Sequence, residues 1–344
     1  MSYIDTLYLE LPGLLSAMHA EDYQHPITIL DLPTLSVVLS KADQIPRNYS
    51  SYYSLADHEI SGNCDAKWGT EYLDLRSTHD EHHEKNGFWL RADPMIHQAQ
   101  TLAVHLLGNR QLPRTLNMTS FQQKFNQIFA ETIQLSYLEP YEGYLFCSNH
   151  PQVEFISPLQ ALGKDQLHCF PKGNDANYWK KIITEIQMWL HSIQAMDRNQ
   201  ESPFNSLFLW GNPNACLPNI QAQYLVSSSH LLLGAAKRLQ ISHEKLPDCY
   251  QLMQLESFKD QNIQCLQIVD LELLWLRRQG LVTAWQNYLQ TWQKSWLAPM
   301  LEALKAGQVK QLALDLGNDY IYELRAKHLR RFWRKNKPLE KFCH

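Results

Sequence analysis

The sequence predicts an α/β protein with a mixed, mostly parallel sheet, flanking helices, and β-hairpins in its N-terminal half and at its C-terminus. Short apolar segments of strand type alternate with helix-like segments through the C-terminal half, and this alternation is typical of an α/β fold. Paired aromatic segments separated by turn residues predict the hairpins. The chain has 344 residues, enough for one large core or two modest domains.

In the N-terminal half, residues 43–86 are polar and predict loops with one or two short helices. Asp93-Pro94 predicts a turn after the strand at 88–91. Thr119 and Gln122 have the spacing of a capping box at the start of a helix. The predicted strands and helices of this half are, in order, a strand at 3–9, a helix at 14–19, a strand at 27–32, a helix at 35–42, a strand at 88–91, a strand through Leu102, Val104 and Leu106, a helix from Thr119, and a hairpin of 134–138 with 144–147.

Residues 148–177 contain several Pro, Gly, Asn and Asp residues and predict the boundary between two parts. The parts are an N-terminal α+β part, 1–150, and a C-terminal α/β part, 151–344, unless the two form one continuous domain. The predicted elements of the second part are a helix with an apolar stripe of Tyr178, Ile182, Ile186, Trp189 and Ile193, strands at 206–210, 221–226 and 263–269, a helix at 230–239, a Trp-rich helical region at 281–305, a hairpin of 309–316 with 320–324, and a basic helix at 327–335.

Composition and charge exclude several classes of protein. The net charge of −4 gives no global basis for binding nucleic acid or a membrane, and no apolar run approaches the roughly 20 residues of a membrane span. The seven Cys are scattered without a C-x-x-C pair, which disfavours a disulfide framework and a structural zinc site. We expect a cytoplasmic protein without a signal peptide.

Two polar clusters have simple structural explanations. His79, His82 and His83 lie among carboxylates, but the run has no metal-ligand spacing such as H-E-x-x-H, so a solvated charged loop is the favoured interpretation. Ser227–His230 places hydroxyls beside an imidazole. No G-x-S-x-G motif surrounds it, and a serine N-cap of the following helix is favoured over a nucleophile.

The segment Arg325–Lys337 holds seven Lys or Arg and no acid, with Phe332 and Trp333 inside it. Basic residues interleaved with aromatics can hold phosphate or single-stranded nucleic acid. The favoured interpretation is a terminal helix that packs its two aromatic rings and solvates its charges, because the rest of the chain is acidic.

The predicted ligand contacts lie where strands end. Arg91 has the planar fork that binds phosphate or carboxylate, although a pair with Asp93 that holds the turn is favoured. Asn205 precedes the strand at 206–210, and Trp210, Gly211 and Asn212 follow or end it, at the place where an α/β sheet commonly binds a ligand; a core role for Trp210 is weighed equally. His191 either joins this site or is a cation at a helix C-terminus.

Several short segments of the sequence resemble motifs of the RpfE-type regulatory proteins of bacteria. Glu185–His191 resembles the family's N-E-I-Q-M-L-L-H, and Asn205–Gly211 resembles its I-N-S-L-W-L-W-G. The segments Trp89–Pro94, Trp296–Gly307 and Arg331–Arg334 are also similar. The match adds Glu185 to the predicted ligand contacts.

The resemblance implies a distant tie to cofactor-independent phosphoglycerate mutases and the alkaline-phosphatase-like superfamily, whose members use an α/β sheet with two metal ions. In the mutases, metals neutralise the phosphoryl charge and activate a hydroxyl. This chain departs from their pattern. Glu10–Gly13 stands in place of the Asp-Gly metal motif, and Ile193–Met196 in place of H-P-V-N.

Three functional hypotheses follow. The leading one is a cytoplasmic regulatory protein that resembles a degenerate mutase, has no catalytic metal site or other cofactor, and binds a small phosphorylated or anionic metabolite or a protein partner. The first alternative is an active metal-dependent mutase that interconverts 3-phosphoglycerate and 2-phosphoglycerate. The second is a protein-interaction module that acts through the basic C-terminal helix. Neither a nucleic-acid nor a membrane partner is expected.

Overall fold

The computed structural model describes residues 3–15, 30–75, 87–99, 103–148, 152–196, 203–250 and 262–342. The chain forms two compact units. The first comprises Met1–Ala56, Asn219–Ser229 and Ala236–His344, and the second comprises Asp57–Pro218 and His230–Ala235. The predicted division between residues 150 and 151 differs from this partition, in which each unit takes segments from both predicted parts.

The strands are numbered in chain order. Their bounds are β1 Tyr3–Glu10, β2 Asp43–Pro46, β3 Phe88–Ala99, β4 Val104–Gly108, β5 Ile133–Leu138, β6 Gly143–Cys147, β7 Val153–Glu154, β8 Lys172–Gly173, β9 Ser206–Trp210, β10 Tyr224–Ser227, β11 Ser242–Lys245, β12 Asn262–Val269, β13 Val309–Asp315 and β14 Tyr320–Arg325.

The α-helices are numbered in the same way. Their bounds are α1 Pro33–Lys41, α2 Ala56–Ser61, α3 Ala66–Tyr72, α4 Thr119–Phe129, α5 Pro158–Ala161, α6 Ala176–Met196, α7 His230–Arg238, α8 Glu272–Arg278, α9 Val282–Trp292 and α10 Ala298–Lys305. None of the helices in the described part of the chain is long and apolar enough to cross a membrane.

The first unit is built on a seven-stranded sheet of order β11-β10-β12-β1-β13-β14-β2. The five strands from β11 to β13 are parallel, and β14 and β2 add antiparallel pairs. In β1, Leu7, Tyr8 and Leu9 are all buried, as expected for a parallel strand covered on both faces. The predicted mixed, mostly parallel α/β fold is confirmed, and so is the C-terminal hairpin.

The Trp-rich helical region of the first unit is also confirmed, with an irregularity that has a local cause. A π-helical turn, Gln293–Leu297, joins α9 to α10. Pro299 has no N–H to donate to the carbonyl of Ser295 four residues earlier. The backbone N–H of Tyr250 donates to that carbonyl instead, at 3.0 Å.

The second unit contains a five-stranded sheet in which β3 is central. The start of β3 pairs with β6, its middle pairs with β9, and its end pairs with β4. β5 pairs with β6, and all of these pairs are antiparallel. The predicted hairpin of β5 and β6 is confirmed. Asp93-Pro94 is not a turn, however, because both residues pair with β9 opposite Phe208 and Leu207. At Pro94 the described pairing of β3 is with β9 alone, since its pairing with β6 ends at Arg91 and its pairing with β4 begins at Ile96, and Pro is tolerated where one side of a strand has no strand partner.

Two helices of the second unit differ in detail from the prediction, one in its N-terminal cap and the other in its buried face. α4 begins at Thr119 as expected, but the capping box does not form: Asn117 Oδ1 accepts from Thr119 N, and Gln122 donates to the carbonyl of Leu135. In α6 the buried stripe consists of Trp179, Ile182, Ile186 and Leu190, whereas Tyr178 is exposed. Trp179 takes the buried position because its ring packs against Phe88 and Phe155.

The predicted basic helix at 327–335 is wrong. A 3₁₀ helix covers only Ala326–Arg330, and the chain then turns. Phe332 and Trp333 are 87% and 66% exposed, so they do not pack as expected. The predicted helix at 14–19, the strand at 27–32 and the alternation from Leu102 fall partly outside the described residues, and the histidine-rich loop at 79–83 lies wholly outside them.

Candidate functional site

Buried acids lie at the carboxyl ends of neighbouring parallel strands in the first unit. Glu10 ends β1, Asp315 ends β13, and Asp270 directly follows β12. In the sheet register Glu10 is level with Val269 on one side and Asp315 on the other. Each of the three acids is at most 2% exposed. The carboxyl edge of a parallel sheet is where α/β proteins place their ligands, so this edge is the first candidate site.

Glu10 is held by four hydrogen-bond donors. Its Oε2 accepts from Ser54 Oγ at 2.7 Å and Ala56 N at 3.0 Å, and its Oε1 accepts from Leu55 N at 3.0 Å and Gln267 Nε2 at 2.5 Å. Burial raises the pKa of Glu10 to about 7, although the bonds from Ser54, Ala56 and Leu55 oppose the rise. The nearby charge of Asp315 adds to it.

Asp315 and Asp270 are also bonded within the protein. Asp315 Oδ2 forms an ion pair with Arg47 at 2.9 Å and accepts from Tyr8 Oη at 3.3 Å. Asp270 accepts from Tyr288 Oη at 2.7 Å and from the backbone N–H of Glu272 at 3.0 Å. Burial raises the pKa of the Tyr8 phenol far above its usual range, so Tyr8 remains a hydrogen-bond donor.

These three carboxylates do not fit the two metal ions that the mutase resemblance implies. A metal ligand must present a lone pair, but the oxygens of Glu10 face N–H and O–H hydrogens from four donors. Asp315 is neutralised by Arg47. Among the residues that the structure describes, no three His, Cys, Asp or Glu side chains form a group that could hold a metal ion.

A second polar cluster lies in the second unit around Arg91, which is 5% exposed. Arg91 Nε and Nη2 donate to Asp93 Oδ1 at 2.9 and 2.8 Å, and Nη1 lies 3.1 Å from Glu142 Oε2. Trp210 Nε1 donates to the other oxygen of Asp93 at 2.6 Å. The guanidinium also lies over the rings of Tyr144 and Trp210, 5.0 and 5.3 Å from their centroids.

Charge pairing keeps Arg91 ionised. Burial alone would lower its pKa, but Asp93 first, and then Tyr144, Glu142 and Glu59, raise it well above its usual value. Glu142 also contacts Nδ1 of His230, whose ring stacks on Tyr72 at 5.3 Å. Strands β3, β6 and β9 and helix α7 therefore contribute to one buried network.

Of the predicted ligand contacts, Arg91 and Trp210 meet in this network. Their polar groups are directed at Asp93, so Arg91 forms the pair with Asp93 that the favoured interpretation expected. Asn205 supports the sheet. Its Oδ1 accepts from His97 N at 2.7 Å and its Nδ2 donates to His97 O at 2.8 Å, so the side chain bridges β9 to β3.

Gly211 and Asn212 form the turn after β9. Gly211 has φ +123°, a conformation that favours glycine. Asn212 N donates to Cys64 O at 2.8 Å, and Asn212 Oδ1 accepts from Asn214 N at 3.0 Å. Because β9 is antiparallel to β3, this turn is not at the carboxyl edge of a parallel sheet, and the expected geometry of a ligand crevice is absent there.

Glu185 and His191 lie on the exposed face of α6. Glu185 pairs with Lys181 one turn earlier at 3.7 Å. The structure therefore does not bring these two residues together with Arg91 and Trp210 through any contact it describes. In the serine run, Ser227 Oγ accepts from Ser229 N at 3.1 Å and donates to Val269 O at 3.2 Å, so both hydroxyl contacts serve the backbone.

A cleft in the second unit was not predicted. The cleft is open to solvent and has a volume of about 350 Å³. The residues that line it include His97, Cys169, Gln187 and Phe208. Burial lowers the pKa of His97 to about 4 and raises the pKa of the Cys169 thiol. Both groups are therefore neutral near pH 7.

Sequence reasoning missed Glu10 and Asp315 as members of a site. A usable signal was present, because each is an acid that ends an apolar strand. The same pattern is visible at Asp270, which directly follows the strand predicted at 263–269. No local signal in the sequence pairs Arg47 with Asp315 or directs Gln267 at Glu10, since these contacts depend on strand order.

Comparisons with known proteins show likeness in fold only. No protein family and no curated protein matches the chain, so membership of the RpfE-type family is not confirmed. A cofactor-independent phosphoglycerate mutase from Thermoplasma acidophilum DSM 1728 is similar with a TM-score of 0.38 and 11% identity, over 99% of this chain and 95% of that one. The PH0037 protein from Pyrococcus horikoshii is similar with a TM-score of 0.44 and 11% identity, over 94% and 87%.

Proposed function

We propose that this chain is a cytoplasmic regulatory protein with a phosphoglycerate-mutase-like fold that does not transfer phosphoryl groups with metal ions. The observation that carries the proposal is the hydrogen bonding of Glu10. This residue ends the central parallel strand, in the region where the resembled mutases have a metal-binding Asp, and its two oxygens receive four protein donors.

The neighbouring acids support the same conclusion. Two-metal catalysis needs several unprotonated oxygen or nitrogen ligands that converge on each ion. Asp315 instead balances the charge of Arg47, and Asp270 accepts from the first backbone N–H of α8 and from Tyr288 Oη. Freeing any of these carboxylates would leave a buried donor without its partner, at about 1–3 kcal/mol each.

The proposed ligand remains a small phosphorylated or anionic metabolite. Arg91 is a poor candidate to hold it, because an anion would have to displace Asp93 from both Nε and Nη2. A ligand at Arg91 would also leave the charge of Asp93 buried, which is strongly unfavourable. We therefore expect phosphate compounds to bind without any requirement for Arg91.

The test combines turnover with metal dependence. Purified protein, reconstituted with Mn²⁺, is assayed for conversion of 3-phosphoglycerate to 2-phosphoglycerate beside an authentic cofactor-independent mutase, and its metal content is measured. We expect no turnover above the Glu10→Ala variant, and no change in melting temperature when EDTA is added. Turnover that chelation abolishes and Mn²⁺ restores would contradict the proposal.

Binding is measured separately. Addition of 3-phosphoglycerate is expected to raise the melting temperature of the wild-type protein, since a ligand that binds only the native state stabilises it. Inorganic sulfate at equal ionic strength is the control. If neither 3-phosphoglycerate nor another phosphorylated metabolite shifts the melting temperature, the ligand part of the proposal fails while the conclusion on catalysis stands.

A further inference from the structure

Two strongly exposed aromatic residues of the first unit lie side by side near the C-terminus. Phe332 is 87% exposed and Trp333 66%. Their rings meet edge to face, with centroids 5.2 Å apart and planes at 85°. The side chains of Lys327, Arg330, Lys335 and Lys337 are exposed around them in the sequence. We call these six residues the basic-aromatic patch.

A clamp on both sides of the aromatic pair holds the patch in place. Arg331 binds Asp43 through two parallel bonds of 2.5 and 2.9 Å, and Arg334 Nη2 donates to the same carboxylate at 3.0 Å. Lys41 Nζ in turn donates to the carbonyls of Arg331 and Arg334. Because the two arginines turn toward Asp43, the two residues between them are left exposed to solvent.

The backbone after the clamp is also fixed. Lys337 N donates to Ser40 Oγ, and Ser36 Oγ donates to Lys337 O, each at 2.8 Å. The aromatic pair is therefore presented by a segment that is bonded to α1 and to the start of β2. A backbone segment that is already ordered loses little conformational entropy on binding, and Trp is among the residue types that dominate interface energies.

Charge indicates the kind of partner. Arg331 and Arg334 share the single carboxylate of Asp43, which balances only one of their two charges. The four cations of the patch are exposed, and the segment 325–337 contains no acid. A partner must therefore offer carboxylates to these cations and an apolar side chain to the rings. Exposed charges of this kind contribute mainly to the rate and specificity of association.

We infer that the basic-aromatic patch is a docking site for an acidic protein segment that carries large apolar side chains among Asp and Glu residues. A single-stranded nucleic acid fits less well, because rings at 85° do not offer parallel faces to successive bases and the chain as a whole has pI ≈ 6.4. A membrane is disfavoured since the adjoining 3₁₀ helix spans five residues and is too short for an interfacial amphipathic helix.

The inference is tested on the full chain with a fluorescein-labelled synthetic peptide that alternates Glu and Leu. Fluorescence anisotropy is expected to show saturable binding that weakens as salt is added. The double variant Phe332→Ala/Trp333→Ala is expected to bind at least about ten-fold more weakly, in line with the loss of interface hot spots. Lys335→Glu/Lys337→Glu is expected to lose binding and its salt dependence.

Matched controls separate docking from general stickiness. Tyr49→Ala removes an equally exposed aromatic residue outside the patch, and Lys305→Glu reverses an exposed charge elsewhere in the same unit. Both are expected to bind the peptide as the wild type does. Asp43→Ala leaves the six patch residues unchanged but removes the clamp. We expect this variant to bind the peptide several-fold more weakly, while the second unit melts as it does in the wild type.

Three results would overturn the inference. They are a peptide that does not bind, a double aromatic variant that binds like the wild type, and tighter binding of oligothymidylate or of phosphatidylserine vesicles than of the peptide. None of these measurements depends on metal or on phosphoglycerate, so the inference and the proposed function can fail independently.

Discussion

His97 is a partly buried residue whose backbone is bonded to Asn205 and whose ring lines the cleft of the second unit. Burial lowers its pKa from 6.5 to about 4. The unfolded chain therefore binds a proton at pH 5 that the native protein does not. The stabilisation from a neutral His97 is present above pH 6.5 and is lost as the pH falls through 4.

The first prediction concerns this titration. Between pH 6.5 and pH 4 the wild-type protein should lose up to about 3 kcal/mol of unfolding free energy through His97, by the value of 1.36 kcal/mol per pKa unit. His97→Gln keeps a polar group but does not titrate, so its curve should be flatter by this amount. Urea denaturation at several pH values measures the difference.

Because Glu10 also titrates in this range, the wild type must be compared with His97→Gln at each pH. Its pKa of about 7 is above the ordinary carboxyl value, so its contribution has the opposite sign and is lost as the pH rises through 7. The difference between wild type and variant cancels this effect. His191→Gln, at an exposed position on α6, is the control. Equal slopes for wild type and His97→Gln would contradict the prediction.

At the scale of elements, the packing of α7 against α3 depends on one small residue. A Cβ atom at Gly234 would lie 1.7 Å from the carbonyl oxygen of Trp68 and 2.3 Å from its carbon. Trp68 is 1% exposed, and backbone atoms cannot rotate away as a side chain can. The two helices approach this closely only because residue 234 has no side chain.

The second prediction is that Gly234→Ala destabilises the protein by about 3 kcal/mol, the upper end of the usual range for overpacked cores, because the added Cβ meets backbone atoms. Gly280→Ala is the matched control. Gly280 has φ +69° but no atom within 4 Å of its added Cβ, so only the left-handed conformation is penalised, by about 1 kcal/mol. Urea denaturation compares the two, and similar losses would show that the close approach does not limit the packing.

At the scale of the whole molecule, the central strand of the first unit joins distant parts of the chain. β1 pairs along its length with β12 and β13, with Ile4 level with Ile263 and Val309. Each pairing closes a loop of well over 200 residues. Non-local pairing of this kind makes a sheet depend on the integrity of the entire chain.

The third prediction follows from that topology. A chain truncated after Val269 lacks β13 and β14, which are the neighbours of β1 and β2. Amide hydrogen exchange should show loss of protection in β1, while β3, β6 and β9 of the second unit keep theirs, because all partners of those strands lie between residues 88 and 210. Protected β1 amides in the truncated chain would contradict the prediction.

The sequence by itself determined the class of the fold and most of its elements. Apolar runs such as Leu7–Leu9 and the hairpin of β13 and β14 were recognisable because periodicity and turn residues are local properties. The apolar run at 206–210 also located β9 correctly. The predicted buried stripe of α6 began at Tyr178, whereas in the structure it begins at Trp179. Both side chains are aromatic, and only the neighbouring rings of Phe88 and Phe155 select between them.

Only the tertiary structure decided what the polar residues do. For Arg91 and Trp210 the sequence left both a ligand contact and a structural role open, and strand pairing places Asp93 between them. Glu10 and Asp315 carried no motif, yet parallel register makes them neighbours at one edge of the sheet. Phe332 and Trp333 were expected to be buried and are exposed, because Asp43 binds the arginines on either side. Hydrogen bonds and ion pairs join residues distant in sequence, so a local pattern does not contain them.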